Sequence, residues 1–380
     1  MAYIPRWLEL ESITSAKSLF LFGPRQTGKT SLLQHTLSGA RFLSLLDSDL
    51  FLSLSQRPSA LRELVQPHDT LVVIDEIQKL PLLLDEVHLM IESRGTRFLL
   101  TGSSARKLRR GGVNLLGGRA RSRTLHPLVQ AELGERFELQ RALNVGLVPS
   151  IYLSERPLED LRAYATDYLR EEIAAEGLTR NVPAFSRFLE VAALCNGQMI
   201  NYSSIASDAQ VPVSTVREYF QILEDTLLAR RLPAWQRSKT RKAVVTPKFY
   251  FFDVGVARYL QHRRGLQARS PEFGEAFEAY LFHELSTYQD YTAGEGLCYW
   301  RSKSGFEVDF ILGEKTAIEV KAKDPVGQRD LRGLEALREE KQLERYIMVA
   351  LEKHPRRVGE IDILPWDHFL KQLWAGELCS

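Results

Sequence analysis

The sequence predicts an α/β protein: a parallel-sheet domain, then a helical domain ending in a hairpin, then a second α/β domain. Three observations carry this reading. Short apolar runs alternate with helical patterns through the first third of the chain, which implies a parallel sheet covered on both faces. From about residue 164 to 259 the pattern becomes helical and then hairpin-like. From about residue 272 a helix is followed by two strand candidates, another helix and a strand at 346–351. The expected domains are therefore 1–163, 164–260 and 261–380, with Pro233, Pro247 and the stretch 261–271 as turn or linker material.

A chain of 380 residues has room for two or three such domains. Its 50 basic and 48 acidic residues leave a formal charge of +2. No global field then draws it to nucleic acid, and any such site must come from local basic patches. Cys195, Cys298 and Cys379 are too few and too scattered for a disulfide framework or a zinc cluster. The start lacks a basic segment followed by a long apolar run, and no uninterrupted apolar stretch of about 18 residues occurs. The expectation is a cytoplasmic protein with no signal peptide and no membrane partner.

The N-terminal strands are expected at 18–22, 41–46, 70–74, 97–100 and 123–128, the last closed by Pro127. The notable helices between them are expected at 29–37 and 82–92. After the first strand comes Gly23-Pro24-Arg25-Gln26-Thr27-Gly28-Lys29-Thr30, followed by Ser31. This fits GxxxxGK[ST] between a strand and a helix, the arrangement that binds phosphates. Glycines let backbone amides approach phosphate oxygens, and the helix N-terminus adds partial positive charge. Lys29 should reach the β- and γ-phosphates of ATP, and the Thr30 hydroxyl should ligate Mg²⁺.

Leu71-Val72-Val73-Ile74-Asp75-Glu76 is a buried strand with two carboxylates at its end. Asp75 would hold Mg²⁺ through its water shell, and Glu76 would act as general base on the attacking water. The strand at 97–100 leads into Thr101-Gly102-Ser103-Ser104. Thr101 or Ser103 could bond the lytic water or the γ-phosphate, or Ser103 or Ser104 could simply cap a helix. Between 105 and 123 lie Arg106, Lys107, Arg109, Arg110, Arg119, Arg121 and Arg123 without an acid. Arg119 could act on the γ-phosphate as an arginine finger, in cis or across a homo-oligomer interface; a solvated basic loop or a nucleic-acid contact are the other readings.

These motifs together resemble one family. Phe20 to Thr30, Ile74-Asp75-Glu76-Ile77-Gln78-Lys79, Leu100-Thr101-Gly102-Ser103-Ser104 and Gly118-Arg119 are similar to prokaryotic AAA-type P-loop ATPases with a C-terminal domain of unknown function. The resemblance runs through nearly the whole chain. It implies an ATPase that uses ATP and Mg²⁺, but it supplies no substrate.

Downstream, residues 202–228 read as a helix-turn-helix. Residues 203–209 form its first helix, Val211-Pro212-Val213 the turn, Ser214 an N-cap and 215–228 the second helix. Val216, Phe220, Leu223 and Leu227 would face a core. Phe249 to Phe252 looks like the return strand of a wing, and the family resemblance implies a winged helix here. Glu218, Glu224 and Asp225 on the second helix repel phosphate. The segment before the return strand is better suited, since Arg230, Arg231, Arg237, Lys239, Arg241 and Lys242 occur there without an acid, around Trp235. DNA contact by Arg237, Lys239, Arg241 and Lys242 stands beside a protein-packing role in which these charges are a solvated face.

In the last segment, Glu307-Val308-Asp309-Phe310-Ile311-Leu312 precedes Ala317-Ile318-Glu319-Val320-Lys321. Residues two apart on a strand share a face, so Glu319 and Lys321 point together, and Asp309 joins them if the strands form a hairpin. Two carboxylates and a lysine can make a Mg²⁺ phosphodiesterase centre, with Asp309 and Glu319 as metal ligands. This is the D…ExK pattern of restriction-endonuclease-like folds, and Glu278 on the preceding helix resembles their helical acid. An ion pair on a sheet face is the plain alternative. The functional expectation is thus an ATPase coupled to DNA binding or cleavage. The alternatives are a non-nucleolytic switch acting on a protein partner and a DNA-binding regulator with a degenerate nuclease domain.

Overall fold

The computed structural model describes residues 3–103, 116–168, 181–263, 265–268, 270–294 and 296–378. The chain divides into two compact units. One is Met1–Pro127 with Asp225–Leu227, the other Leu128–Glu224 with Leu228–Ser380.

The first unit is built on five parallel strands: β1 (Ser18–Phe22), β2 (Arg41–Ser44), β3 (Leu71–Asp75), β4 (Arg97–Gly102) and β5 (Ala120–Thr124). Their order is β2-β3-β4-β1-β5, so β4 lies between the strands that lead to the two phosphate-site motifs. β1 is buried on both faces because helices cover both sides of a parallel sheet. Helices Lys29–Thr36 and Leu83–Arg94 follow the expected positions closely.

The fifth strand starts three residues earlier than expected. β5 is an edge strand with exposed Arg121 and Ser122, so its sequence lacks the apolar run that marks the inner strands. Leu125 and Leu128, which suggested the later position, are buried in the segment after it. Of the basic run, Arg106, Lys107, Arg109 and Arg110 lie outside the described residues, as does Ser104.

The second unit combines both expected C-terminal domains and the helices from Gln130 to Ala163. This unit begins at Leu128, ahead of the boundary expected at 163/164, because the intervening helices pack into its core. Val145, Val148, Ile151, Leu161 and Tyr164 share one core with Phe188, Phe220 and Phe249. Gly255 lets the helix Val254–Leu260 approach this region. A Cβ there would lie 2.2 Å from the Val145 carbonyl carbon.

Within this unit, helices Val182–Leu194, Tyr202–Ala209 and Val213–Asp225 stand against a three-stranded sheet. Its strands are β6 (Gln198–Met199), β7 (Ala229–Leu232) and β8 (Lys248–Phe251), in the order β6-β8-β7. Ser214 falls inside its helix rather than capping it, because Pro212 already stops the preceding segment. The helix ends at Asp225, so Leu227, with φ +60°, lies beyond it.

A six-stranded sheet completes the unit: β9 (Leu297–Arg301), β10 (Glu307–Leu312), β11 (Thr316–Lys321), β12 (Arg345–Ala350), β13 (Arg356–Val358) and β14 (Ile361–Pro365). The order is β13-β14-β12-β11-β10-β9. β10 and β11 form an antiparallel hairpin, and β12 runs parallel to β11. A bulge between Val308 and Ile311 shifts the pairing of β10 with β9 and re-aims the side chains there. The long helix Pro271–Thr292 packs on this sheet. No helix among the described residues is long and apolar enough to cross a membrane.

Candidate functional site: a phosphate-binding edge and a buried acidic centre

At the C-terminal edge of β1 the chain turns through Gly23–Thr30 into a helix. Gly28 has φ +92°, a conformation that side chains rarely adopt and that aims the loop amides inward. Arg6 fastens the loop from outside. Its guanidinium donates to the Thr27 carbonyl at 2.7 Å and to the His126 carbonyl at 2.6 Å. Arg6 was not legible as a site residue, since nothing near it in sequence marks phosphate chemistry.

Lys29 is buried, and its ammonium donates to the carbonyls of Gly23 at 2.6 Å and Pro24 at 3.0 Å. The Thr30 hydroxyl donates to Asp75 Oδ2 at 3.3 Å. A hydroxyl and a carboxylate so placed, beside a buried ammonium, fit the oxygen-ligand preference of Mg²⁺ next to phosphate. The Thr101 hydroxyl donates to Asp75 Oδ1 and accepts from the Glu76 amide at 3.1 Å. Thr101 therefore ties β3 to β4 at the point where both carboxylates emerge. Pro24, Arg25, Gln26, Thr27 and Ser31 lie in the same turn or at the start of its helix.

Glu76 adopts φ +62°, an unusual value for a residue with a side chain. Two contacts stabilise it: its amide bond to Thr101, and the Gln78 side-chain amide, which donates to its carboxylate. The same Gln78 amide reaches Ser103 Oγ at 3.3 Å. Gln78 is buried and links the expected base to the strand at its side. Its signal in the sequence was a polar residue two positions after Glu76, within a run otherwise apolar or basic.

Arg119 is not brought to this edge. β5 pairs with β1 so that Ala120 stands opposite Ser18, which puts Arg119 at the start of the sheet. A five-residue strand spans roughly 16 Å, so the P-loop of the same chain lies about that far away. Arg119 instead pairs with Glu92 and donates to the Gly117 carbonyl at 3.5 Å. A cis-acting finger does not fit this placement.

The second unit holds a separate charged centre. Asp309 and Glu319 converge across the hairpin. The Asp309 amide donates to Glu319 Oε2 at 3.3 Å, and the Val320 amide donates to Asp309 Oδ2 at 2.9 Å. The Lys321 ammonium lies 2.5 Å from Glu319 Oε1 and 4.0 Å from Asp309 Oδ2. Glu278 reaches the same place from the long helix, accepting from the Tyr250 hydroxyl at 2.6 Å. All four residues named from the sequence are thus together.

Two further residues were missed. Glu307 joins from β10, paired with Arg301 at 3.1 Å. Lys248, at the start of β8, is 4% exposed and stands among three carboxylates: Glu307 at 2.7 Å, Glu278 at 3.2 Å and Asp309 at 3.7 Å. Burial alone would lower the Lys248 ammonium. Glu278 and its other neighbours overcome that and hold it well above the usual lysine range. Burial, reinforced by Asp309, raises the Glu278 carboxyl and pushes Glu319 up to about 8. The charge count agrees. Four carboxylates, Glu278, Glu307, Asp309 and Glu319, share three cations, Lys248, Lys321 and Arg301, which fits the raised carboxyls of Glu278 and Glu319.

This arrangement does not fit Mg²⁺ on Asp309 and Glu319 as expected. Lysine ammoniums already occupy the faces that metal coordination would use. Among the described residues, no group of three or more His, Cys, Asp or Glu is arranged to hold a metal ion.

The basic segment expected to meet DNA lies along the sheet instead. The Trp235 amide donates to the Tyr299 carbonyl at 2.7 Å, and the Val244 amide to the Arg301 carbonyl at 2.8 Å. Arg237 pairs with Glu314, and Arg241 with Glu339 and Glu340. Glu340 accepts from the amides of Lys239, Thr240 and Arg241 and from the Thr240 hydroxyl. Burial opposes its charge, but the Thr240 contacts and the Lys239 amide outweigh that and hold its carboxyl down at about 2. Lys239 and Lys242 are exposed.

Residues 15–134 match a family model described as an AAA domain. The first unit is a P-loop ATPase domain of the AAA type. Residues 136–269 and 273–369 match two models, each described as a domain of unknown function, DUF8612 and DUF4143. Two similar curated proteins are the uncharacterized proteins Mb2031c of Mycobacterium bovis and Rv2008c of Mycobacterium tuberculosis. Each is 26% identical over 324 residues, covering 80% of this chain and 70% of its own length. Among solved structures, the Walker-type ATPase PABY2304 of Pyrococcus abyssi is 16% identical with a TM-score of 0.45, covering 66% of this chain and 93% of its own. The replication initiator DnaA bound to AMPPCP and single-stranded DNA is 16% identical with a TM-score of 0.30, covering 58% and 90%.

Proposed function

We propose that this protein binds and hydrolyses MgATP at the edge formed by Lys29, Thr30, Asp75, Glu76 and Thr101, and uses the nucleotide state to switch its second unit. The observation that carries the reading is the set of bonds joining Thr30, Asp75, Thr101 and Glu76 beside the buried Lys29 ammonium. In the nucleotide-bound protein Lys29 exchanges its loop carbonyls for β- and γ-phosphate oxygens, while loop amides and the helix N-terminus hold the phosphates. Thr30 and Asp75 would hold Mg²⁺, which supplies charge neutralisation on the phosphates. Glu76 accepts the proton of the attacking water, with Gln78 holding its carboxylate and Thr101 its backbone amide.

The test is nucleotide affinity and turnover measured on the same variants. Lys29→Ala should abolish MgATP binding. Glu76→Gln should bind ATP and retain it, with turnover lowered by about 10²-fold or more. Near-normal turnover in Glu76→Gln would remove Glu76 from the role of base.

A second reading rests on the acidic centre. The meeting of Asp309, Glu319, Lys321 and Glu278 supports a restriction-endonuclease-like ancestry for the last segment, joined to a winged helix. DNA is then the partner, with exposed Lys239 and Lys242 as phosphate contacts. The ion pairs of Arg237 and Arg241 within the unit favour the switch over this reading. Mg²⁺-dependent cleavage of several DNA forms, followed in the same tube as ATP turnover, separates the two.

A further inference from the structure

We infer that Lys248 is the resident cation of the acidic centre, a tethered ammonium that excludes divalent metal from it. This rests on the second reading only for its choice of metal. The placement of Lys248 stands on geometry.

A divalent cation bound here would draw its ligands from Asp309, Glu319 and their acidic neighbours. The Lys248 ammonium is within ion-pair distance of Glu278, Glu307 and Asp309 at once. It reaches them from β8, a strand of the other sheet in this unit. That strand is anchored by aromatic residues. Phe249 and Phe251 sit in the helical core, and the Tyr250 ring stacks on Phe282 of the long helix at 4.0 Å. Lys248 therefore cannot swing aside as a surface lysine does. Its stem is clamped by its own strand, and its charge is matched by three carboxylates drawn from two other elements. Lys321 neutralises the remaining side of the centre through Glu319. A metal ion would have to expel an ammonium already desolvated and paired, or accept its repulsion at close range.

The inference assigns a specific task to a residue that a plain ion-pair cluster would not need. If Lys248 only added stability, removing its charge would weaken the fold and leave metal affinity unchanged. If it is the resident cation, removing its charge lets Glu278, Glu307 and Asp309, which are not arranged as metal ligands around the ammonium, close on a divalent ion instead.

The experiment is titration of the full chain with Mn²⁺ in the absence of nucleotide, with free Mn²⁺ read by electron paramagnetic resonance. Lys248→Gln keeps the length and hydrogen-bonding capacity of the side chain and removes its charge. It should gain one Mn²⁺ site at least roughly tenfold tighter than any in the wild type, in the range of coupling between competing occupants. Adding Asp309→Asn should abolish the gain, which locates it at this centre. The double variant Lys248→Gln/Glu278→Gln removes one charge of each sign. It provides the same readout if the single variant does not fold. No gain in Mn²⁺ affinity in a folded variant, or a gain insensitive to Asp309→Asn, overturns the inference. So does wild-type protein that already binds Mn²⁺ equally tightly at Asp309. The nuclease reading fails separately. Lys248→Gln that binds Mn²⁺ and cleaves nothing leaves the resident cation standing, whereas wild type that binds Mn²⁺ at Asp309 and cleaves DNA does the reverse.

Discussion

At the scale of single residues, the proposed ATP site is held by bonds between residues far apart in sequence. Thr101 bonds both Asp75 and the Glu76 amide, and Gln78 holds the Glu76 carboxylate. Motif spacing could reveal Lys29, Thr30, Asp75 and Glu76, because each sits at a fixed offset from a strand end. It left open whether Thr101 or Ser103 mattered and gave Gln78 no role, since these depend on how β3 and β4 lie side by side. Arg119 belongs at this scale too. Its position at the start of β5 removes it from its own P-loop, which leaves the trans role or a structural pairing with Glu92. Under the trans role, Arg119→Ala lowers turnover by roughly 10³-fold with ATP affinity nearly unchanged. The wild-type rate per chain then rises with protein concentration. A concentration-independent rate, untouched by the substitution, would leave only the pairing with Glu92.

At the scale of elements, β1 to β4 were legible because each carries a short apolar run, and the start of β5 was not. β5 exposes two of its five residues, Arg121 and Ser122, and only its end, Arg123 and Thr124, fell within the expected strand. The same limit hid the path of the segment between β7 and β8. Its basic residues look like a phosphate-binding wing when counted, yet the acids that neutralise them, Glu314, Glu339 and Glu340, lie some 70 or more positions later in sequence. Glu340 is the anchor of that docking. Glu340→Ala removes four hydrogen bonds to this segment and should lower the stability of the second unit by about 1–3 kcal/mol. Chemical denaturation measures this. Glu340 is held below its unfolded value, so its contribution is full above about pH 4.5 and lost as pH falls toward 2. The deficit of the variant should accordingly shrink in acid.

At the scale of the whole molecule, three domains were expected, and the chain forms two compact units, the second of which holds both stretches that match domains of unknown function. Periodicity marks helices well but does not say which core receives them, and the helices from Gln130 to Ala163, expected with the first domain, pack in a core of the second unit. One buried acid joins the ends of the second unit. Glu284 on the long helix accepts from the Gln130 amide at 2.7 Å, the Tyr280 hydroxyl at 2.9 Å and the Trp374 indole at 2.9 Å. Burial pushes its carboxyl up to about 7 despite these donors. A raised folded value means stability is greatest below the unfolded value of about 4.5 and falls as pH rises to about 7. The fall is on the order of 3 kcal/mol, and thermal unfolding across that range should show it. Glu284→Gln should flatten this part of the pH dependence. A slope unchanged by the substitution would assign it to another group, with Asp253, held at about 6, the next to test.

The position of Lys248 also bears on the order in which the chain folds. The centre draws on β8, the helix Pro271–Thr292 and the β10–β11 hairpin, so no contiguous stretch of chain can assemble it. The hairpin is contiguous chain and carries Lys321 for Glu319, but Glu307 and Asp309 on it meet Lys248 only when β8 is in place. Dehydrating those carboxylates without Lys248 is costly, so closure of the long helix over the hairpin is favourable only with the earlier sheet in place. The charged centre thereby couples the packing of the C-terminal sheet to the correct docking of a segment that precedes it in the chain.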